Sequence, residues 1–338
     1  MKSKKSFNEL KEGSGILFLS HDPHFVHLAF AKSIKARIRI IPFKKYILLS
    51  KKFKILFFFY PLLSFFYALF LKTKEKILFV DGGSSFYVAV FLKILRKVQK
   101  IIYLDGDTFF YYLQKKGKPT NRFIKFLTKF IDGAISVSSQ SKDYASKFLK
   151  VPIKMVCPFC KKIEKMKIER KNYGLFVGRL DPEKNIKKII NFAINCPYFE
   201  EFWLVGDGVF KDYVKKISKK FPKIKYFGKQ KNVDFFYNKC KFLIHISEFD
   251  SFSCVPLEAA QVFCFPFISE NCGNKNLFDE FFIVKNLNDF REIENKIKLI
   301  LEDEEKYKKI LKKTIEKIPK KEKQIKKFVL TFKEFLKK

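Results

Sequence analysis

Two carboxylates eight positions apart, Asp250 and Glu258, flank a strand-to-helix corner within Phe242–Ser269, FLIHISEFDSFSCVPLEAAQVFCFPFIS. The apolar run Phe242–Ile246 reads as a buried strand, and a polar corner follows from Ser247 to Ser253. A helical segment, Cys254–Val262, leads into a second apolar run, Phe263–Ile268. One acid therefore stands in the loop and the other about one turn into the helix, with the helix-start amides between them. Such a corner holds an anion on its amides and hydroxyl-bearing groups on its acids. Taken alone, the same residues also fit a strand, a capped helix and two solvated acids.

Two other constellations invite a metal or redox reading. His21, His24 and His27 are three of the four histidines, but only Asp22 is near them at ligand spacing. Cys157 and Cys160 form a C-x-x-C with no second C-x-x-C or His pair at zinc spacing, and the motif opens no helix after a thioredoxin-like strand. No metal and no cofactor is expected.

The elements that must position the acids are set by the rest of the chain. Its 338 residues suffice for two domains, and 47% hydrophobic content makes it globular. Seven scattered cysteines, four in or beside apolar runs, point to buried free thiols and a reducing, cytoplasmic compartment. The start, MKSKKSFNELKEGSG, has no apolar signal segment, so export is not expected. A net charge of +36 attracts anionic lipid, phosphorylated small molecules or nucleic acid. It is spread along the chain and lacks the interleaved aromatic and basic motifs of known modules, so nucleic acid is not the expected partner. Ile55–Leu71 is seventeen uncharged residues between Lys54 and Lys72. At ~1.5 Å per residue it covers roughly 25 Å, short of the ~30 Å hydrocarbon core, and Pro61 interrupts it. It reads as a buried or membrane-surface helix.

A recurring unit of short apolar strand, polar loop and helix runs through the chain. In the first half the strands are Gly15–Ser20, Ile77–Val80, Ile101–Leu104 and Ala134–Val137, with helices at Phe25–Lys35, Phe86–Val98 and Lys142–Leu149. Val151–Arg170, lysine-rich with Pro152 and Pro158, reads as an irregular linker. A second series starts at Tyr173, with strands Gly174–Val177, Phe202–Val205 and Ile224–Phe227 before the opening stretch. The tail places Ile325, Phe328, Val329, Phe332 and Leu336 on one helical face. This is the pattern of two doubly wound parallel sheets, whose ligands bind at the carboxyl ends of strands. No G-x-G-x-x-G follows the first strand, so a dinucleotide site is not supported. The expected division is residues 1–160, residues 161–317 and a C-terminal amphipathic helix, 318–338, with a cleft between the two α/β halves.

The second half resembles glycosyltransferase family 4. Phe176-Val177-Gly178-Arg179-Leu180 with Lys184 is similar to that family's strand-end segment, and Val205-Gly206-Asp207-Gly208 to its next glycine loop. Asp250 through Glu258 resembles its E-x7-E signature, with Asp in place of the first Glu. Cys264-Phe265-Pro266-Phe267-Ile268 and Gly273 continue the order. The likeness covers Gly174 to about Glu302; the first half is similar only in outline.

The resemblance implies the GT-B fold, two Rossmann-like α/β domains with a C-terminal helix packing back toward the first. It further implies a retaining hexosyltransferase that takes a sugar from a UDP- or GDP-sugar to a hydroxyl acceptor without an obligatory metal. A diphosphate leaving group gains charge as the glycosidic bond breaks, so fixed cations favour the transition state over the ground state. Arg179 offers a planar fork and Lys184 a compact charge, spanning a strand end and a helix start. By carry-over, Glu258 holds the ribose hydroxyls and Asp250 the transferred sugar, with Gly178, Gly206, Gly208, Phe252, Ser253 and Cys254 completing the donor site. His24, Gly82 and Asp107 are the acceptor-side candidates.

Four departures stand out. Asp250 is one methylene shorter than Glu, and Phe263 occupies a usual glycine position. Asp22-Pro23-His24 replaces a glycine pair after the first strand. Gly106 and Asp107 stand where a histidine is expected. The basic surface and the Ile55–Leu71 helix suggest an acceptor at an anionic membrane surface, such as a lipid-linked sugar, reached peripherally from the cytoplasm. The other reading is a catalytically inactive GT-B scaffold that binds membrane or nucleic acid through its charge.

Overall fold

The computed structural model describes residues 15–43, 46, 56–115 and 117–337. The chain start before Gly15, and Ile55 of the apolar candidate, lie outside the described residues. The chain forms two compact units. One runs to Cys157 and takes in the chain from Glu322 onward; the other is Pro158–Lys321.

The first unit is a parallel six-stranded sheet in the order β2-β1-β3-β4-β5-β6. Its strands are β1 (Ile16–Ser20), β2 (Arg37–Ile40), β3 (Ile77–Asp81), β4 (Lys100–Asp105), β5 (Gly133–Ser136) and β6 (Ile153–Met155). Strands β1 and β5 are buried along their whole length, as expected of a parallel sheet covered on both faces. The connecting helices are α1 (Phe25–Ser33), α2 (Leu56–Phe70), α3 (Gly82–Ile94), α4 (Phe109–Gln114), α5 (Lys118–Leu127) and α6 (Ser139–Ser146).

Strand β2 and helices α4 and α5 were not read from the sequence, and two of the stretches that were read differ in a way that bears on the fold. The stretch 151–170 is not wholly irregular, since Ile153–Met155 adds the edge strand β6, paired with β5. The helix expected from Phe86 begins four residues earlier, at Gly82, because the two glycines and two serines there wind as its first turn.

The second unit repeats the plan in the order β12-β11-β10-β7-β8-β9, also parallel. Its strands are β7 (Lys171–Val177), β8 (Phe202–Val205), β9 (Ile224–Gly228), β10 (Cys240–His245), β11 (Phe265–Ser269) and β12 (Ile283–Val284). Its helices are α7 (Ile186–Asn195), α8 (Lys211–Lys220), α9 (Asp234–Lys239), α10 (Cys254–Gln261), α11 (Arg291–Glu302) and α12 (Glu304–Glu316). The strand order reverses between β7 and β10, and crevices for ligands open at the carboxyl ends of strands at such a switch point.

The last helix, α13 (Lys321–Lys337), packs onto the first sheet. Phe328 stacks on Phe30 of α1, with ring centroids 4.4 Å apart, and also meets Phe79 of β3 at 5.3 Å. A Cβ on Gly133 would come within 2.4 Å of Phe335, so the absence of a side chain there lets the helix sit close. Of the apolar face read from the tail, Phe328 and Phe332 are buried against the first unit and Ile325, Val329 and Leu336 are half-buried, while Phe335, outside that reading, is buried as well.

Candidate functional site

Strands β7 and β10 end side by side in the second unit, and their following loops are tied together. The Glu248 amide donates to Glu183 O at 2.9 Å, and Asn185 Nδ2 donates to Ile246 O at 3.2 Å. Asn185 itself adopts φ 53°, turning the chain sharply from the 3-10 turn Pro182–Lys184 into α7. That turn aims Lys184 inward. Its ammonium donates to Asp250 Oδ2 at 2.5 Å and to Ser247 Oγ at 3.3 Å, and Lys184 is only 9% exposed.

Asp250 is fixed by its backbone as well. Its amide donates to Asn271 O at 3.2 Å and its carbonyl accepts from the Gly273 amide at 2.8 Å. Its other carboxylate oxygen, Oδ1, accepts from the Phe252 amide at 3.2 Å. His245, the last residue of β10, brings Nε2 to 3.2 Å from Asp250 Oδ2. Burial opposes ionisation of Asp250, but the neighbouring Lys184 charge and the His245 hydrogen bond outweigh it, holding the carboxyl far below the usual carboxylate range. Burial lowers the pKa of His245, so the imidazole is neutral at pH 7 and donates from Nε2. Lys184, Asp250 and His245 form one buried chain of groups on a single carboxylate oxygen.

Glu258 lies in the second turn of α10 and is 7% exposed. Its Oε2 accepts from the Tyr237 hydroxyl at 3.1 Å, and its Oε1 from the Lys161 amide at 3.4 Å. Burial raises its pKa, and the Tyr237 and Lys161 hydrogen bonds pull the other way. The α10 start is set by Cys254, whose Sγ donates to Phe159 O at 3.6 Å, and by Ser253, whose carbonyl accepts from Asn274 Nδ2 at 2.7 Å.

The glycines at the end of β7 and β8 are there for space. Gly178 has φ 153° and Gly206 φ 150°, and a Cβ on Gly206 would fall 1.8 Å from Gly178 O. One on Gly208 would fall 2.7 Å from the Leu180 amide nitrogen. The two loops therefore touch backbone to backbone, with the Leu180 amide donating to Asp207 O at 3.0 Å. Arg179 extends from this junction with its side chain 57% exposed. It donates to Asp181 Oδ2 at 2.7 Å and Glu183 Oε1 at 3.0 Å.

Of the donor-side candidates, Lys184, Asp250 and Phe252 are in direct contact, and Gly178, Gly206 and Gly208 form one loop junction beside Arg179. Glu258, Ser253 and Cys254 belong to the α10 end of the same corner. The acceptor-side candidates belong to the first unit. Gly82, with φ 71°, opens α3, and Asp107 sits on that helix start, accepting from the Gly83 amide at 2.7 Å and from the Phe109 amide at 2.9 Å. His24 precedes α1, its ring 4.4 Å from that of Phe25 and 5.8 Å from that of His27.

The three early histidines go separate ways. His21 Nε2 meets Ser84 O at 2.8 Å and Tyr60 Oη at 2.7 Å, and His27 Nδ1 lies 2.8 Å from Asp81 Oδ1. Among the described residues no group of three or more His, Cys, Asp or Glu is placed to hold a metal ion. All seven cysteines are free thiols, and burial pushes Cys160 up to about 12.

Sequence reasoning missed His245 and Tyr237, the partners of the two acids. His245 carried a signal, being a lone histidine closing an apolar strand five positions before Asp250. Tyr237 carried none, since only the packing of α9 under α10 brings it to Glu258.

The chain is similar to known proteins in sequence family and in fold. Residues 160–317 match the family model described as glycosyl transferases group 1. Among solved structures, HepE of Anabaena in complex with UDP-glucose superposes with a TM-score of 0.73 at 16% identity, covering 94% of this chain and 99% of that one. Sucrose-phosphate synthase of Thermosynechococcus elongatus gives 0.66 at 15% identity over 88% and 81% of the two chains. A glycosyltransferase from Rickettsia africae gives 0.63 at 12% identity over 95% and 90%. No curated protein matches the chain. The structural likeness establishes the fold, which is that of the GT-B glycosyltransferases.

Proposed function

We propose that the chain is a retaining hexosyltransferase of glycosyltransferase family 4, moving a sugar from a UDP- or GDP-sugar to a hydroxyl acceptor. The observation that carries this reading is the switch-point corner of the second unit. There a cation and a carboxylate, Lys184 and Asp250, meet at the end of β10, with a second buried carboxylate, Glu258, on the helix that follows. It lies within the segment that matches the group 1 family model.

In this reading the diphosphate enters beside Arg179 and Lys184. It draws their charges away from Asp181, Glu183 and Asp250, and these cations stabilise the negative charge that grows on the leaving phosphate. Asp250, kept anionic, accepts hydrogen bonds from hydroxyls of the transferred sugar, and Glu258 accepts those of the ribose. Gly178, Gly206 and Gly208 let the backbone approach the phosphates. UDP-glucose in HepE supports a nucleotide-sugar as donor. Seven free thiols support action in a reducing compartment, and the cytoplasm is the compartment of this reading. No step in this scheme calls for a metal.

A thermal-shift panel of UDP, GDP, ADP and their sugars tests the reading, with Arg179→Ala and Glu258→Ala as controls. The expected result is a rise in Tm with one base series, reduced in both variants. No shift with any nucleotide, or unchanged shifts in both variants, refutes the donor site.

A further inference from the structure

The outward face of α2 is apolar, although the helix lies on the surface. Phe59, Leu62, Phe66, Leu69 and Phe70 recur at helical spacing and are all exposed, Phe70 by 77%. Tyr60, Ser64, Ala68 and Leu71, on the other side, are buried. That inner side is well held: Tyr60 donates to Ser84 O at 2.5 Å, and Phe65 meets Phe91 of α3 edge-on at 5.4 Å. A surface helix of a globular domain ordinarily turns charged and polar residues to solvent. This one has no charged residue along its length. Five large side chains in one exposed stripe mark an interaction surface rather than scattered surface apolarity.

Charge identifies the partner. From Pro23 to Lys74 the chain carries eleven Lys and Arg and no Asp or Glu. Lys72, Lys74 and Lys76 are exposed immediately past the end of α2. Lys97 places its ammonium on the last carbonyls of the helix, at 3.0 Å from Ala68 O and 3.1 Å from Leu71 O. The first acid after the stretch, Glu75, is already neutralised by Arg37, whose Nη2 donates to it at 2.7 Å. An apolar stripe that runs directly into three exposed lysines fits a surface that is apolar within and anionic at its rim. No helix among the described residues is long and apolar enough to cross a membrane, so a helix of this kind lies in the interface plane.

We propose that α2 docks the protein onto an anionic membrane. The stripe Phe59, Leu62, Phe66, Leu69 and Phe70 enters the boundary between headgroups and acyl chains, and Lys72, Lys74 and Lys76 engage the headgroups. Basic side chains and apolar burial add in such binding, and salt weakens the first contribution alone. The docking does not depend on the donor site of the second unit, and its test needs no turnover.

The test is flotation of the full chain with vesicles of phosphatidylcholine alone and of phosphatidylcholine with about 30% phosphatidylglycerol, an anionic fraction chosen to give a surface potential. The wild type is expected to float with the anionic vesicles and to do so less as salt is raised. Because a chain of net charge +36 attracts anionic vesicles through charge alone, the paired substitution Phe66→Ser with Phe70→Ser decides the matter. Both side chains are exposed, so Tm should hold, while the vesicle partition coefficient should drop at least tenfold. Lys72→Glu with Lys74→Glu should lower it in anionic vesicles and leave neutral ones unaffected. Equal flotation of the Phe66→Ser, Phe70→Ser pair and the wild type overturns the proposal. So does a wild type that binds no vesicles but forms a dimer that this pair dissociates, which would assign the stripe to a second copy of the chain.

Discussion

His245→Leu separates what the buried histidine does for stability from what it does for the site. The imidazole donates to Asp250 Oδ2 from 3.2 Å, while its Nδ1 is buried without a hydrogen-bond partner. Removing a hydrogen bond to a charged group costs about 1.5–3 kcal/mol. Removing a buried, unsatisfied polar atom returns about 1–3 kcal/mol, and leucine fills a similar volume. The two nearly cancel, so stability to denaturant should change by less than about 1.5 kcal/mol. The site should not be so tolerant. With His245 gone, only Lys184 holds Oδ2, and in the proposed reading the diphosphate draws Lys184 away. A carboxylate left without its orienting donor forfeits a charged hydrogen bond to a sugar hydroxyl. That bond is worth about 1.5–3 kcal/mol, roughly 10- to 150-fold in affinity. Titration calorimetry with UDP and UDP-glucose, or the GDP pair if that base binds, should show the nucleotide bound within about twofold of wild type and the nucleotide-sugar weakened at least tenfold. His245→Gln, whose amide nitrogen reaches the Nε2 position, should recover most of the loss. If the ratio of the two affinities is unchanged in His245→Leu, the histidine is packing material and does not orient Asp250.

Two further predictions concern the same unit. Tyr237→Phe removes the donor at 3.1 Å that favours ionised Glu258, so the raised Glu258 pKa should climb further. If the carboxylate form binds ribose, nucleotide affinity rises with pH as Glu258 ionises, and the variant should show that rise displaced to higher pH in a titration series. An unmoved limb would mean Glu258 does not contact the nucleotide. Gly206→Ala drives a Cβ to 1.8 Å from Gly178 O and should cost about 3 kcal/mol in denaturant unfolding. Gly228→Ala, at φ 67° with nothing nearer than 4.0 Å, should cost about 1 kcal/mol from backbone strain alone. Equal costs would deny that the β7 and β8 loops are wedged together.

The parts of the fold that could be read from sequence are those where one physical demand dominates. Buried parallel strands such as Ile16–Ser20 are continuously apolar, and their carboxyl-end loops are short and polar, so the repeated unit stood out. The α13 stripe through Phe328 and Phe332 was visible for the same reason. Strand β2 was not, because its sequence RIRI lies at the sheet edge, alternates with arginines and is largely exposed. Strand β6 was hidden by its three-residue length and by lysine-rich neighbours that imitate a linker. Phe263 was legible only as an oddity. The structure gives its reason: φ 59° makes it the left-handed residue that ends α10, with the Cys264 amide closing back on Ala259 O at 3.0 Å. A glycine is the usual choice there because it takes that conformation without strain.

The site followed the same division between local and non-local causes. Acids, glycines and cations at fixed spacing are local: Asp250 and Glu258 stood out by spacing, and Gly206 and Lys184 entered through the family resemblance. What each of them bonds is not local. Arg179 and Lys184 were read as parallel phosphate ligands, yet Lys184 is buried on Asp250 while Arg179 stands exposed between Asp181 and Glu183. The two cations therefore differ in what a diphosphate must displace. Arg179 is itself exposed, although Asp181 and Glu183 are largely buried, and the Val209 amide still donates to Asp181 Oδ1 at 3.3 Å when the guanidinium turns to a phosphate. Lys184 must leave a desolvated carboxylate, which pays only if something else keeps Asp250 satisfied. Among the described residues His245 is placed to do so, since it bonds the same oxygen from the other side, with the Phe252 amide on the second oxygen. In the proposed reading, the shortened acid, the lone histidine on β10 and the buried lysine thus form a single device, in which nucleotide-sugar binding would move Asp250 from a cation to a neutral donor without stranding its charge.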